Sequence, residues 1–142
     1  HHYGIFYEYS VKDTVMMGFP KLYELTKAID EIYAKGVNGE FGILKGHIPY
    51  VTGLDIGVTK VVRGTDTKSF SVMGGVFKFI DEDALILTDV AESGDEIDEV
   101  RAKEALARAQ ARLKDADASI DAKRAEAAVA RALARLKAKM NY

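Results

Sequence analysis

Arginines in the last third of the chain have the residue type and spacing best suited to ligand chemistry. Arg101 and Arg108 are seven residues apart, and Arg131 and Arg135 are four apart, so each pair shares one face of a helix. Guanidinium groups match phosphate oxygens well, because they present several donors in one plane. The spacing leaves two interpretations open: an anion site that forms when two helices close, or a solvated basic face.

Catalytic and metal-binding patterns are not found. His47 is the one histidine besides His1 and His2, and a single histidine cannot form a zinc site. No acid–base pair or Ser/His/Asp set can be argued around it, so we expect a protein that is not an enzyme. Two interpretations of His47 remain: a partly buried side chain held between turns, or a subunit contact. The glycines at 36, 39 and 42 lack the Lys-Ser/Thr ending of a phosphate loop and indicate turns.

Composition narrows the class further. The 142 residues contain no cysteine and carry a formal net charge of −2, which excludes disulfides and argues against general nucleic-acid binding. No apolar run approaches the roughly 20 residues of a membrane helix, so membrane association must come through partners. The charge is divided, since residues 98–142 hold 11 Lys and Arg against 7 Asp and Glu, while residues 1–97 are acidic. A basic arm is attracted to acidic surfaces, its own body included.

Short apolar segments separated by turn residues predict an all-β body, either a sandwich or a barrel. The predicted strands are 14–19, 29–34, 54–63, 69–73, 76–80 and 84–88. Residues 1–12 are either an edge strand or an appended segment, 21–30 could form one or two helical turns, and 36–42 is turn-like. We predict a β domain over 1–90, a linker over 91–97 and a helical hairpin over 98–142.

The hairpin prediction depends on a phrase that occurs twice, Ile-Asp-x-x-Arg-Ala at 97–102 and its counterpart at 120–125. In each copy the Asp is placed to cap a helix, and the Ile before it can pack on the first turn. The polar segment 114–119 favours an antiparallel turn between the helices. The predicted seams are Ala102, Leu106, Ala109 and Leu113 on one helix and Ala125, Val129, Ala132 and Leu136 on the other. Such small seams bury little area, so the hairpin should need docking for stability.

The chain resembles the ε subunit of F-type ATP synthase. The resemblance depends on residues 39–49, Gly-Glu-Phe-Gly-Ile-Leu-Lys-Gly-His-Ile-Pro, which are similar to the family's Gly-Glu-(Phe/Leu)-Gly-Ile-Leu-Pro-Gly-His-x-Pro. The paired Gly74 and Gly75, the Ala-Glu at 91–92 and the phrase at 97–102 reinforce it, and it covers about residues 30–136. Lys45 replaces the usual Pro, and Met73 replaces a common Ser.

The resemblance implies a β-sandwich of about ten strands and an antiparallel two-helix C-terminal hairpin. It implies a rotor subunit of the central stalk, active in ATP synthesis and hydrogen ion transport, that couples the γ subunit to the c ring. A loop at Glu40, Phe41 and Gly42 would touch the ring, and His47 would face γ. The protein would be peripheral to the bacterial cell membrane, on its cytoplasmic side, and bound there through the complex.

The resemblance also implies that the arm is a switch. When extended it would block rotation in the hydrolysis direction and meet acidic segments of the β subunits through Lys123, Arg124, Arg131, Arg135, Lys137 and Lys139. When folded it could bind ATP as a regulatory ligand, with no other cofactor required. The residues implied for ATP are Glu92, Ile97, Asp98, Arg101, Ala102, Arg108, Arg131 and Arg135. The alternative is a stand-alone β-sandwich binding module whose helical arm recruits a partner.

Overall fold

The computed structural model describes residues 9–13, 21–25, 30–81, 83–116 and 119–140. These residues form a β-sandwich followed by two helices, which confirms the predicted fold class. The described strands number eight: β1 (Tyr9–Asp13), β2 (Lys21–Leu25), β3 (Glu31–Gly36), β4 (Gly39–Leu44), β5 (Tyr50–Arg63), β6 (Asp66–Ile80), β7 (Asp83–Thr88) and β8 (Ala91–Ser93). A 3-10 turn at Gly94–Glu96 leads to helix α1 (Glu99–Lys114), and helix α2 (Ser119–Met140) follows. No described helix has the length and apolar character needed to cross a membrane.

The described strands pair antiparallel in the order β1-β2-β7-β6-β5-β3-β4, and β8 pairs with β6. β1 lies at one end of this order, which agrees with the edge-strand interpretation for residues 9–12. β2 corrects the helical interpretation of 21–30 over residues 21–25, where the strand pairs with β1 on one side and β7 on the other, while 26–29 lie outside the described residues. Pairing on two sides outweighs a local helical preference in so short a segment. The strand predicted at 14–19 lies outside the described residues.

β6 is one long strand where the sequence predicts two, 69–73 and 76–80. The division falls at Gly74 and Gly75, which have φ of +83° and +132°. Before this point the core side chains of β6 are Phe70 and Val72, and after it they are Phe77 and Phe79. The side chains of β6 that face the core therefore change from even-numbered to odd-numbered positions, while the register with β5 stays the same. β8 pairs with the first half of β6 and β7 with the second, so the strand serves both layers of the sandwich.

The segment 36–42 is a hairpin, and its turn is shorter than predicted. β3 and β4 pair from Glu31↔Leu44 to Gly36↔Gly39, which leaves two residues, 37 and 38, as the turn. Gly39 has a φ of +124°, a value that favours glycine. The residues implied to form a ring-contacting loop, Glu40, Phe41 and Gly42, thus lie in strand β4. The glycines predicted a turn over the whole segment, because glycine spacing alone carries no information about the hydrogen-bonded pairing of β4 with β3.

The core of the sandwich consists of large apolar side chains from β3 to β7. Val61 and Phe77 are completely buried, and Ile32, Ile43 and Phe79 join them in one cluster. Phe41 packs on this cluster with its ring 5.2 Å from that of Phe77. Burial of large apolar side chains contributes roughly 1.5–3 kcal/mol each. The body therefore has its own source of stability.

The two helix starts differ, although the sequence predicts two equivalent caps. Asp98 caps α1 as predicted, with its carboxylate accepting from the Arg101 N–H at 3.1 Å. α2 begins at Ser119, so Asp121 lies inside its first turn and the cap predicted there is wrong. Ile97 is 5% exposed and packs with Ala102, whereas Ile120 is 64% exposed. The first helix start is thus fixed to the rest of the protein, and the second is open to solvent.

The predicted linker, 91–97, is structured throughout. Its first three residues form β8, which pairs with β6 from Phe70↔Ser93 to Val72↔Ala91. The next three form the 3-10 turn, where the Glu96 side chain accepts from the Ser93 N–H at 3.3 Å. This segment therefore completes the sheet before the chain enters the arm.

Candidate functional site

Helix α2 is the element that joins the arm to the body. It packs on α1 along one side and on β5, β6, β8 and the 3-10 turn along the other. The arm in this structure is therefore folded against the sandwich. The candidate functional site is the interface between α2 and the body.

The seam between the helices is made of alanine, as predicted. The buried residues are Ala102 and Ala109 of α1 and Ala125 and Ala132 of α2. The larger members of the predicted seams are only half-buried: Leu106, Leu113, Val129 and Leu136. Small side chains allow the helices to approach closely but give little apolar burial.

The start of α1 and the end of α2 meet the body in a small apolar cluster. Ile97, Ala102 and Ala138 are buried there, with Val58 and Leu136 packed beside them. Two of the residues implied for ATP binding, Ile97 and Ala102, thus have packing contacts of their own. Their role toward a nucleotide stays a prediction.

An ion pair crosses the interface, between Glu92 on β8 and Arg135 on α2. The Arg135 Nε donates to Glu92 Oε1 at 2.6 Å, and the side chains are 30% and 36% exposed for Arg135 and Glu92. From the opposite side Ser71, which is completely buried, donates its hydroxyl to the same oxygen at 3.5 Å. Ser71 faces Glu92 in the strand register. The structure thus brings together two of the eight residues implied for ATP.

The remaining implied ATP residues lie along the two helices. Asp98 is engaged as the N-cap of α1, and Arg101 and Arg108 are exposed on that helix. Arg131 is half-buried on α2, one turn before Arg135. Arg101 and Arg108 are thus on α1, and Arg131 is on the same helix as the ion pair.

The six residues implied for the inhibitory basic face do not share one environment. Lys123, Arg124 and Lys137 are exposed, while Arg131, Arg135 and Lys139 are half-buried. Lys139 lies near Glu99 of α1, whose pKa is lowered mainly by its hydrogen bond to Lys103 at 2.9 Å and in smaller part by Lys139. The docked arm therefore keeps part of its positive charge against its own carboxylates.

A second candidate surface lies on the body around the β4–β5 turn. His47 is half-buried, with its ring 6.0 Å from Tyr50 and 6.3 Å from Phe79, both edge-on. Its Nδ1 lies 2.7 Å from the Ile48 carbonyl oxygen. These contacts match the interpretation of a histidine held by its neighbours, and they leave the subunit contact as a prediction. Glu40 is exposed on the adjacent strand.

The sequence analysis missed an apolar surface at this end of the sandwich. Its members are exposed aliphatic side chains: Val37, Ile48 and Val51. Val37 lies beside Gly53, on the face of β5 that also carries Val51. Ile48 could have been noticed, since it is the residue before Pro49 in a turn where a polar residue would be expected. Exposed apolar groups of this kind mark interaction surfaces when they are contiguous.

A groove separates part of α2 from the strands below it. It has a volume of about 770 Å³ and lies between β3, β4 and β5 on one side and Leu133 and Ala134 on the other. Protein interiors are packed without spaces of this size. The docking of α2 is therefore incomplete along this flank.

The described residues contain no cluster of His, Asp or Glu that could hold a metal ion.

Fold and site together define a β-sandwich subunit that carries a docked helical arm. Two family profiles match the chain: "ATP synthase, Delta/Epsilon chain, beta-sandwich domain" over residues 21–94, and "ATP synthase, Delta/Epsilon chain, long alpha-helix domain" over residues 95–140. ATP synthase epsilon chain 2 of Syntrophotalea carbinolica is 40% identical over 96 residues, which are 68% of this chain and 70% of that one. The epsilon chain of Geobacter metallireducens is 43% identical over 90 residues, 63% of this chain and 65% of that one. The chain therefore belongs to the delta/epsilon chain family of ATP synthase, as an epsilon subunit of the F-type enzyme.

A solved structure supports the same fold. A chain of the Euglena gracilis mitochondrial ATP synthase, determined by cryo-EM with OSCP, F1 and the c ring in rotational state 1, is similar with a TM-score of 0.68. The similarity covers 79% of this chain and 70% of that chain, at 26% identity. The matched segments of the curated relatives span about two thirds of their length, 70% and 65%.

Proposed function

We propose that the chain is a non-catalytic subunit of the central stalk of an F-type ATP synthase. In this role the sandwich couples the γ subunit to the c ring, and the arm inhibits ATP hydrolysis when it leaves the sandwich. The observation that carries the proposal is the docking of α2, which reaches β5, β6 and β8 through small side chains and one ion pair. A contact of this kind can release without unfolding the body, as a two-state switch requires.

The sandwich supplies the coupling surface in this proposal. His47 lies beside Tyr50 at the end of the body that carries the exposed aliphatic side chains of Ile48 and Val51. Glu40, Phe41 and Gly42 lie on strand β4, where they also line the groove under α2. A subunit interface with an apolar centre and a polar rim needs such a patch. The chain would reach the cytoplasmic side of the bacterial membrane through this contact with the complex.

The arm supplies the inhibitory surface. In the docked state Arg135 is paired with Glu92, and Lys139 lies near Glu99. On extension these cations would leave their own carboxylates and could pair with acidic segments of the β subunits. Lys123, Arg124, Arg131 and Lys137 would add to the same charge. The cations would then pair with carboxylates in both states, those of their own chain when docked and those of the β subunits when extended. The free-energy difference between the docked and extended states would therefore stay small.

ATP is proposed as a regulatory ligand of the docked arm. The support is the position of Arg131 one turn before Arg135, which contacts Glu92. Asp98, Arg101 and Arg108 lie on the first helix of the same docked arm. A ligand that binds only the docked state stabilises it by RT ln(1 + [L]/Kd), which is about 2.7 kcal/mol at a concentration of 100 Kd. ATP would therefore hold the arm away from the β subunits.

Removal of the arm tests the switch. The chain should be ended after Glu96, because β8 and the 3-10 turn belong to the body. We expect a complex assembled with residues 1–96 to keep proton-driven ATP synthesis and to hydrolyse ATP faster than the complex with the full chain. Equal hydrolysis rates would contradict the inhibitory role, and failure to co-purify with γ would favour the stand-alone binding module.

Calorimetric titration of the full chain with ATP tests the ligand. Arg131→Ala should weaken binding, because it removes a cation from the proposed phosphate site without touching the Glu92–Arg135 pair. Arg112→Ala is the matched control, since Arg112 is exposed on α1 and is not one of the implied residues. Equal affinity in both variants would remove Arg131 from the proposal.

A further inference from the structure

We infer that the Glu92–Arg135 ion pair is a latch that keeps the arm docked without nucleotide, and that a phosphate-bearing ligand must compete with Glu92 for Arg135. The inference rests on the proposed function, because it concerns the same docked arm. In this inference Glu92 competes with ATP for Arg135, whereas the family resemblance implies that Glu92 contacts ATP.

The geometry favours a latch because the two partners lie on opposite sides of the moving interface. Glu92 is held in β8 by the ladder to β6, and Arg135 travels with α2. They are 43 residues apart in the chain and meet at 2.6 Å only when the arm is docked. The neighbouring contacts across the same interface are apolar and small, from Ile97, Val58 and Ala138. The ion pair is thus a directional contact in the docking.

The carboxylate is held in place from the body side. Ser71 is completely buried and donates to the same Oε1 that accepts from Arg135, at 3.5 Å. The register places Ser71 directly opposite Glu92, so the hydroxyl and the carboxylate belong to one rigid strand pair. Arg135 therefore docks onto a residue whose backbone is already fixed by the strand pairing, which lowers the entropy cost of forming the pair.

The environment of the pair makes it both effective and accessible. Each side chain is about one third exposed, 30% for Arg135 and 36% for Glu92, so the pair is partly shielded from water. Partial shielding strengthens a charge-assisted hydrogen bond relative to a surface pair. The remaining exposure leaves room for a solute to reach the guanidinium.

Competition follows from charge. A phosphate group that approaches Arg135 meets the Glu92 carboxylate at the same cation, and like charges this close repel each other. Binding must then break the 2.6 Å contact or accept the repulsion. Glu92→Gln removes the charge and keeps the shape of the side chain. The variant should therefore dock less firmly in the absence of ATP, and its docked state should bind ATP more tightly.

The test uses the full chain with a donor and an acceptor fluorophore. The chain has no cysteine, so Thr65→Cys on the body and Gln110→Cys on the arm give unique labelling sites at exposed positions. Without ATP we expect Glu92→Gln to lower the ratio of docked to undocked arm about five- to tenfold. Arg135→Gln should lower it by a similar factor, and the double variant no further, because the two single changes remove one interaction.

Salt supplies a readout that packing would not change. Raising NaCl to about 1 M should weaken docking in the wild type and have a smaller effect in Glu92→Gln, since only the wild type keeps the ion pair. Glu104→Gln is the matched control: it removes the same charge from an exposed position on α1. Unchanged ATP-free docking in both Glu92→Gln and Arg135→Gln would overturn the latch.

ATP titration of the same labelled proteins separates the two proposals. Tighter ATP binding to the docked state of Glu92→Gln, about threefold or more once the apparent affinity is corrected for the measured docked fraction, supports competition. Weaker corrected binding would overturn it and make Glu92 a ligand contact. Absence of any ATP response in the wild type would instead contradict ATP as a regulatory ligand. The latch would then be judged on the ATP-free ratios, which do not depend on the nucleotide.

Discussion

The body and the arm of this protein are stabilised in opposite ways. The sandwich encloses large apolar side chains, with Phe77 and Val61 completely buried between strands. The arm encloses alanines, with Ala125 and Ala132 in the helix seam and Ala138 against the body. Deep burial of large groups gives stability that does not depend on a partner, whereas an alanine seam depends on docking. The contrast shows how one chain can carry a permanent scaffold and a releasable element.

The largest expected effect lies in the body, at Gly75. A Cβ at this position would overlap the carbonyl oxygen of Leu87, and the φ of +132° excludes most other residues. Gly75→Ala should destabilise the sandwich by at least about 3 kcal/mol, because backbone atoms of β7 cannot move aside. Urea unfolding followed by near-ultraviolet circular dichroism measures the loss.

Gly64→Ala is the control for conformational strain alone. Gly64 has a φ of +61°, and no heavy atom outside its chain neighbours lies within 4 Å of the point where a Cβ would stand. This variant should lose only about 1–2 kcal/mol. Equal losses in both variants would show that the contact with Leu87 is unimportant.

The next effect lies at the junction of arm and body, at Ala138. This residue is completely buried beside Ile97 and Ala102, so Ala138→Leu has no space for its added atoms. The variant should weaken docking by about 1–3 kcal/mol and leave the sandwich folded. Hydrogen exchange should accelerate at the amides of 119–140 and remain unchanged in β5 and β6.

Ala111→Leu is the matched control, because Ala111 is exposed on α1. It should leave exchange in both regions at the wild-type rate. Faster exchange in the strands of Ala138→Leu would mean that arm and body unfold as one unit, and the arm would then not be a separately releasable element.

A smaller effect separates the two copies of the repeated phrase. Asp98→Ala removes the side chain that accepts from the Arg101 N–H and should cost about 1 kcal/mol of helix stability. Asp121→Ala removes only an acidic residue from the first turn of α2 and should cost about 0.3–0.5 kcal/mol. Thermal unfolding followed by the helical circular dichroism signal compares the stability lost in the two variants. Equal losses would show that both residues act as caps.

Local patterns predicted the arm well because its structure depends on local chemistry. The cap at Asp98 and the alanine seams follow from residue types at helical spacing, and both are found. The continuity of β6 through Gly74 could not be predicted, because the change of face depends on β5 and β7 on either side. The strand at 21–25 was missed for the same reason.

The candidate site was only partly predictable. Spacing paired Arg131 with Arg135, since both lie on one helix, but it could not pair Arg135 with Glu92 across 43 residues. The family resemblance placed Glu92 and Arg135 in one set and gave no contact between them. The exposed aliphatic side chains near Ile48 were missed because alternation in short strands does not distinguish a core face from a docking face.

The smallest effect concerns a polar contact on the surface of the body, the tie between Asp30, Lys45 and Gly64. It contrasts with the Glu92–Arg135 ion pair between body and arm. Lys45 contacts Asp30 at 2.8 Å, and the Gly64 N–H donates to the same carboxylate at 2.6 Å. The hydrogen bond from Lys45, followed by that from Gly64, lowers the pKa of Asp30 below the ordinary value of about 3.9. A lowered pKa in the folded state means that the unfolded chain binds the proton more readily. The stability from this tie is therefore complete above about pH 4 and is lost as the pH falls through the lowered pKa.

Asp30→Asn should thus be less stable than the wild type at pH 7, and the difference should be smaller at about pH 2, where more of the wild-type carboxylate is protonated. Lys45→Met should reproduce part of the loss at pH 7, since the Gly64 hydrogen bond remains. Urea midpoints at the two pH values measure both. Docking of the arm, followed by fluorescence transfer, should be the same in these variants as in the wild type at pH 7, because the tie joins segments of the body next to β3, β4 and β5 and does not reach α2. A change in docking would mean that the two regions are coupled through the sandwich, and the separation of scaffold and arm would then be incomplete.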